Sequence, residues 1–143
     1  MQKGKVSKEK PKEVEEKDRA KDQAAAQLSS IREMVNALNE AGDNPKKQEE
    51  AERAIQEDPL SVEVRNGWST PGDKDGQKPS EFSILLCTGG PAVRILGDLD
   101  EHGEPESATI EYQDWFTPWV EFRLDPEEEA DVLTYARQFY FTD

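Results

Sequence analysis

The chain has 143 residues, 34% hydrophobic and 35% charged, with a formal net charge of −14. That length allows one domain with a modest core, and the charge argues against attraction to nucleic-acid phosphates or anionic membranes. Cys87 is the only cysteine, which excludes an intramolecular disulfide.

The charge is unevenly placed. Residues 1–56 carry 12 Lys plus Arg and 12 Asp plus Glu, whereas residues 57–143 carry 6 and 20. The carboxylate surplus therefore belongs to the C-terminal part, where it would steer toward a basic protein surface. The longest apolar run, 84–87, is too short to span a bilayer, and the polar opening lacks a secretory apolar segment. A soluble, cytoplasmic protein is expected.

Residues 1–20 mix Lys and Glu with little to bury, so a disordered polyampholyte tail or a frayed helix is expected. From 21 to 41, Ala24, Leu28, Ile31, Val35 and Leu38 recur at helical spacing and form one apolar seam. Gly42 suits the stop, and Asn44-Pro45 reads as a cap and first residue of a second helix ending near Glu57. This hairpin over 21–57 is too poor in large side chains to form its own core. Its seam must dock on the C-terminal part or on a second copy.

Residues 60–66 alternate as a strand, with Leu60, Val62 and Val64 on one face, and 67–80 read as a loop interrupted by Trp68. Further strands are expected over 82–88, 92–99, 107–115 and 119–124, the first two joined by a Gly89-Gly90-Pro91 turn. Asp125-Pro126-Glu127-Glu128 is a helix start with a capping box. The helix it opens, to about Tyr140, is expected to bury Val132, Leu133, Ala136, Phe139 and Tyr140. The sum is an α+β domain over 58–143: an antiparallel meander of four or five strands with a helical pair before it and a packing helix after it. Because 59–143 holds every long apolar run, it is expected to fold alone.

Chemistry is sparse. Asp98, Asp100, Glu101, Gly103 and Glu104 resemble the opening of a calcium loop, but Thr109 stands where the bidentate Glu is needed, so a solvated turn is the simpler reading. Cys87 and His102, the only thiol and imidazole, fall on different strand ends, which disfavours a nucleophile–base pair and a zinc site. No catalytic residue, metal ligand set or cofactor is assigned. The aromatic group Tyr112, Trp115, Phe116, Trp119 and Phe122 cannot all face one core across Pro118, so Trp115 and Trp119 are the candidates for an exposed binding anchor. The carboxylates Asp98, Asp100, Glu101 and Glu104 would form its acidic rim.

The motifs CTGGPAV at 87–93 and YQDW-x-TPW at 112–119 resemble a group of small uncharacterised proteins of phages and prophages, the resemblance covering 57–143. It implies a bacterial host cytoplasm and, by class, an inhibitor of host or defence machinery. Three readings follow. The first is a non-enzymatic acidic module that engages a basic, nucleic-acid-binding host protein by mimicking negative charge. The second is an assembly protein that forms a homo-oligomer through 21–57. The third is a small metal-dependent enzyme. None involves direct nucleic-acid or membrane binding.

Overall fold

A computed structural model describes residues 2–74 and 78–141, with side chains from residue 19 onward. The protein is α+β. Helices α1 (Gln2–Ala41) and α2 (Pro45–Gln56) precede five strands, β1 (Ser61–Asn66), β2 (Pro79–Cys87), β3 (Ala92–Asp98), β4 (Thr109–Gln113) and β5 (Val120–Phe122), and α3 (Pro126–Ala136) closes the fold. The strands form one antiparallel sheet in the order β1-β2-β3-β4-β5. The backbone is helical from Gln2, so α1 takes in the expected tail. The tail's side chains before residue 19 lie outside the described residues. So do residues 75–77 of the expected loop over 67–80, whose last two positions already belong to β2.

The helix ends follow local chemistry. Asn44 Oδ1 accepts from the Lys47 N–H at 3.1 Å, with Pro45 as the first helical residue. At α3, Asp125 Oδ1 accepts from the Glu128 N–H at 2.8 Å and Glu128 Oε1 accepts from the Asp125 N–H at 2.9 Å, a complete capping box. Gly42 leaves α1 at a φ of 51°, which glycine adopts without penalty.

Strand alternation sorts the sheet into two faces. Phe82, Ile84 and Leu86 of β2, Val93 and Ile95 of β3 and Ile110 of β4 are buried on one face. They share a single cluster with Ala24, Leu28, Ile31 and Val35 of α1, Ile55 of α2, and Val132, Tyr135 and Ala136 of α3. Of the two docking options for the α1 seam, the chain uses its own sheet. The cluster also crosses the expected boundary at residue 58. Arg32 of α1 pairs with Asp131 of α3 at 2.9 Å, and the Tyr135 hydroxyl donates to Asp58 Oδ2 at 2.7 Å, so the helices are tied by polar contacts as well.

Two placements depart from expectation. Tyr140 is 91% exposed, and Phe141 is buried instead, its ring 4.9 Å from that of Phe82. The reason is that α3 ends at Ala136, so the helical periodicity that assigned Tyr140 to the core no longer applies beyond it. Gly97 was not singled out by sequence, yet its position admits no side chain: a Cβ there would lie 2.0 Å from the Ser107 carbonyl oxygen and 2.5 Å from the Phe82 ring. The absence of a Cβ lets Phe82 lie across β3.

Candidate functional site

The sheet has two ends with different characters. Chain direction reverses at each strand, so the β3–β4 connection lies at one end of β4 and the β4–β5 connection at the other. The acidic residues Asp98, Asp100, Glu101 and Glu104 occupy the first end, and Trp115 occupies the second. β3 has seven residues, which separates the two ends by roughly 20 Å. The expected acidic rim and aromatic anchor are therefore two places rather than one.

At the acidic end, Asp100 organises the turn. Its Oδ1 accepts from the N–H of His102 at 2.8 Å and of Glu104 at 3.0 Å. Its own N–H donates to the Glu104 carbonyl at 2.8 Å, and the Gly103 N–H donates to the Asp100 carbonyl at 3.0 Å. The backbone bonds from Glu104, then from His102, hold the Asp100 carboxyl below its ordinary range. This is an Asx turn with Gly103 at a φ of 80°, and Asp100 is committed to it. Among the described residues no group of three or more His, Cys, Asp or Glu is gathered to hold a metal ion.

Cys87 lies at the aromatic end of β2, so the length of β3 separates it from His102. It is half-buried against the core, and burial pushes its thiol up, outweighing the opposing effect of the Val93 backbone. A thiol so placed is a weak nucleophile at neutral pH.

The aromatic end is built differently. After β4, the Asp114 N–H donates to Thr117 Oγ1 at 3.1 Å, and the Thr117 hydroxyl donates to the Asp114 carbonyl at 3.1 Å. Gln113 Nε2 donates to the Thr117 carbonyl at 2.8 Å, and the Trp115 N–H donates to Asp114 Oδ1 at 2.8 Å. Two residues are held at the tip. Trp115 is 64% exposed and rests its indole against the Gly90 turn. Phe116 is 98% exposed and has a φ of 62°, the only described non-glycine residue in the left-handed region. Both features of Phe116 are unfavourable for folding. The two rings lie 5.8 Å apart. Beside them a groove of about 910 Å³ runs between the loop and α1, lined by Arg19, Ala20, Pro91, Tyr112, Trp115 and Pro118.

Trp119 is engaged within the fold. The Arg94 guanidinium stacks 3.9 Å over its ring and also donates to Glu111 Oε1 at 2.7 and 2.9 Å. Trp119 is half-buried in this stack on the sheet's uncovered face. Of the two tryptophans selected as anchors, Trp115 stands at the tip and Trp119 braces the sheet. Sequence reasoning named Phe116 among the aromatics but did not select it. The spacing of Asp114 and Thr117, two turn-forming side chains bracketing Trp115 and Phe116, is the signal that could have found it.

No α-helix among the described residues is long and apolar enough to cross a membrane. Compared with protein-family models, curated protein sequences and solved structures, the chain matches none.

Proposed function

We propose that this protein is a non-enzymatic, acidic protein-binding module whose anchor is the Trp115–Phe116 tip. The observation that carries this reading is Phe116: a large apolar side chain, 98% exposed, held at a φ of 62° by a closed set of hydrogen bonds. Such backbone strain costs on the order of 1–3 kcal/mol and concentrates at binding and catalytic sites. The tip is pre-ordered, so little conformational freedom is lost when a partner covers it. The adjoining groove offers space for a side chain of that partner.

The partner's chemistry follows from charge. The stretch 98–131 holds 13 carboxylates and one Arg, Arg123. A basic surface, of the kind a nucleic-acid-binding host or defence protein carries, is the complement. This is also the class that the phage-like motifs imply. Because the Asp98–Glu104 turn lies roughly 20 Å from the tip, beyond the Debye length of about 8 Å at physiological salt, it acts on the encounter rather than on the anchored contact.

Affinity capture from a bacterial lysate tests the reading. The wild type should retain a basic protein at low salt, and Phe116→Gly should lose it while remaining folded. Equal capture by the wild type and the variant at every salt concentration would contradict the assignment of the anchor.

A further inference from the structure

At the edge of the sheet away from the aromatic loop, β1 is left open. Among the described residues, no strand pairs with its outer side. Its core-face row is also poorly covered: Leu60 is 60% exposed, Val62 38% and Val64 42%. Their neighbours across β2, Ile84 and Phe82, are fully buried, so the helical layer stops one strand short of the edge. Trp68, two residues beyond β1, is 106% exposed. A backbone edge with an apolar row beside it is a template for another strand.

We infer that this edge pairs with β1 of a second copy across a two-fold axis at Val64, joining two five-stranded sheets into one. The argument is self-complementarity. Directly opposed residues in an antiparallel pair share a face. A pairing that keeps the apolar row against the apolar row must therefore centre on a residue rather than between two. Centring on Glu63 opposes glutamate to glutamate, and centring on Arg65 opposes arginine to arginine. Centring on Val62 leaves Arg65 opposite Pro59, outside the strand. Centring on Val64 alone sets each Glu63 against the second copy's Arg65, and Val64 against Val64. It also carries Leu60 toward the second copy's Trp68.

Arg65 already pairs with Glu81 across β2, so the register extends a row of alternating charge from one copy into the other. The register of β1 itself is unbroken, because the irregularity near its end places the extra residue, Ser80, on β2. A six-residue edge with one tryptophan lies at the small end of specific interfaces, below about 1,200 Å². The dimer is therefore weak and concentration-dependent.

Sedimentation velocity on the full chain at low salt, from about 5 to 500 μM, tests this. The wild-type mass should climb from 16.2 kDa toward twice that value. Glu63→Arg alone and Arg65→Glu alone should each weaken association at least tenfold, and circular dichroism should show both folded, since both positions are exposed. An equimolar mixture of the two variants should dimerise again, because it sets two arginines against two glutamates. A wild type that stays monomeric throughout, a dimer that either single variant leaves intact, or a mixture that stays monomeric would each overturn the inference.

Discussion

Asp114 and Thr117 clasp each other across the β4–β5 loop: the Asp114 N–H donates to the threonine hydroxyl at 3.1 Å, and that hydroxyl donates back to the Asp114 carbonyl at 3.1 Å. The clasp holds Phe116 in a conformation that phenylalanine does not favour. Phe116→Gly should therefore raise stability by about 1 kcal/mol, because glycine accepts a positive φ. Thr117→Val, which removes the hydroxyl but keeps the shape, should lower it by about 1 kcal/mol. Urea unfolding of both variants measures these shifts. A destabilised Phe116→Gly would mean that the ring contributes to the fold.

The shared core predicts that the two halves unfold together. Ile31 of α1 and Ile55 of α2 are fully buried in one cluster with Ile84 and Ile95. A fragment beginning at residue 58 would keep α3 but expose the part of that core that α1 and α2 cover. Hydrogen exchange on the fragment should find the β2 and β3 amides unprotected, and Ile31→Ala in the full chain should cost about 2–5 kcal/mol. Strong protection in the fragment would instead restore an independently folding C-terminal unit.

Gly97→Ala should destabilise by at least about 2 kcal/mol, because the added methyl meets backbone at Ser107 and the Phe82 ring. Phe82→Leu placed on top should recover part of the loss, since a smaller side chain frees the space on that side. Thermal unfolding of the single and double variants measures the coupling.

Stability should fall at both pH extremes, for different reasons. Asp100 has a depressed carboxyl pKa in the folded chain, so its contribution is present above the ordinary carboxylate range and is lost as pH falls through the folded value. Tyr135 is the reverse case. Burial and the bond to Asp58 push its phenol up, so its contribution is complete below the ordinary value near 10 and declines as pH rises above it. Asp100→Asn should flatten the acid limb and Tyr135→Phe the alkaline limb, as read by unfolding midpoints across pH.

The caps at Asn44 and Asp125 were legible in the sequence because each is decided by residues within one turn. The first and fourth strands were legible from the alternation of Leu60, Val62 and Val64 and of Ala108, Ile110 and Tyr112, and β2 from its apolar run 84–87. That run suggests cover on both faces, whereas only Phe82, Ile84 and Leu86 of β2 are buried. The α1 seam was legible as a seam, but its docking surface was not, because periodicity says which face is apolar and not what covers it. The separation of the Asp98–Glu104 turn from Trp115 was implicit in the meander, where connections alternate between sheet ends. The φ of Phe116 was hidden, because it comes from the clasp and not from a residue that prefers that region.

The dissociation rate of the captured partner from immobilised protein tests the central claim most directly. Trp115→Ala and Phe116→Gly should each speed dissociation at least about 30-fold, the equivalent of about 2 kcal/mol for an anchor. Glu101→Lys with Glu104→Lys, which leaves the Asp100 turn intact, should slow association at low salt and leave dissociation unchanged. Wild-type dissociation from both tip variants would contradict the anchor, and the Trp115–Phe116 loop would then be only a strained turn.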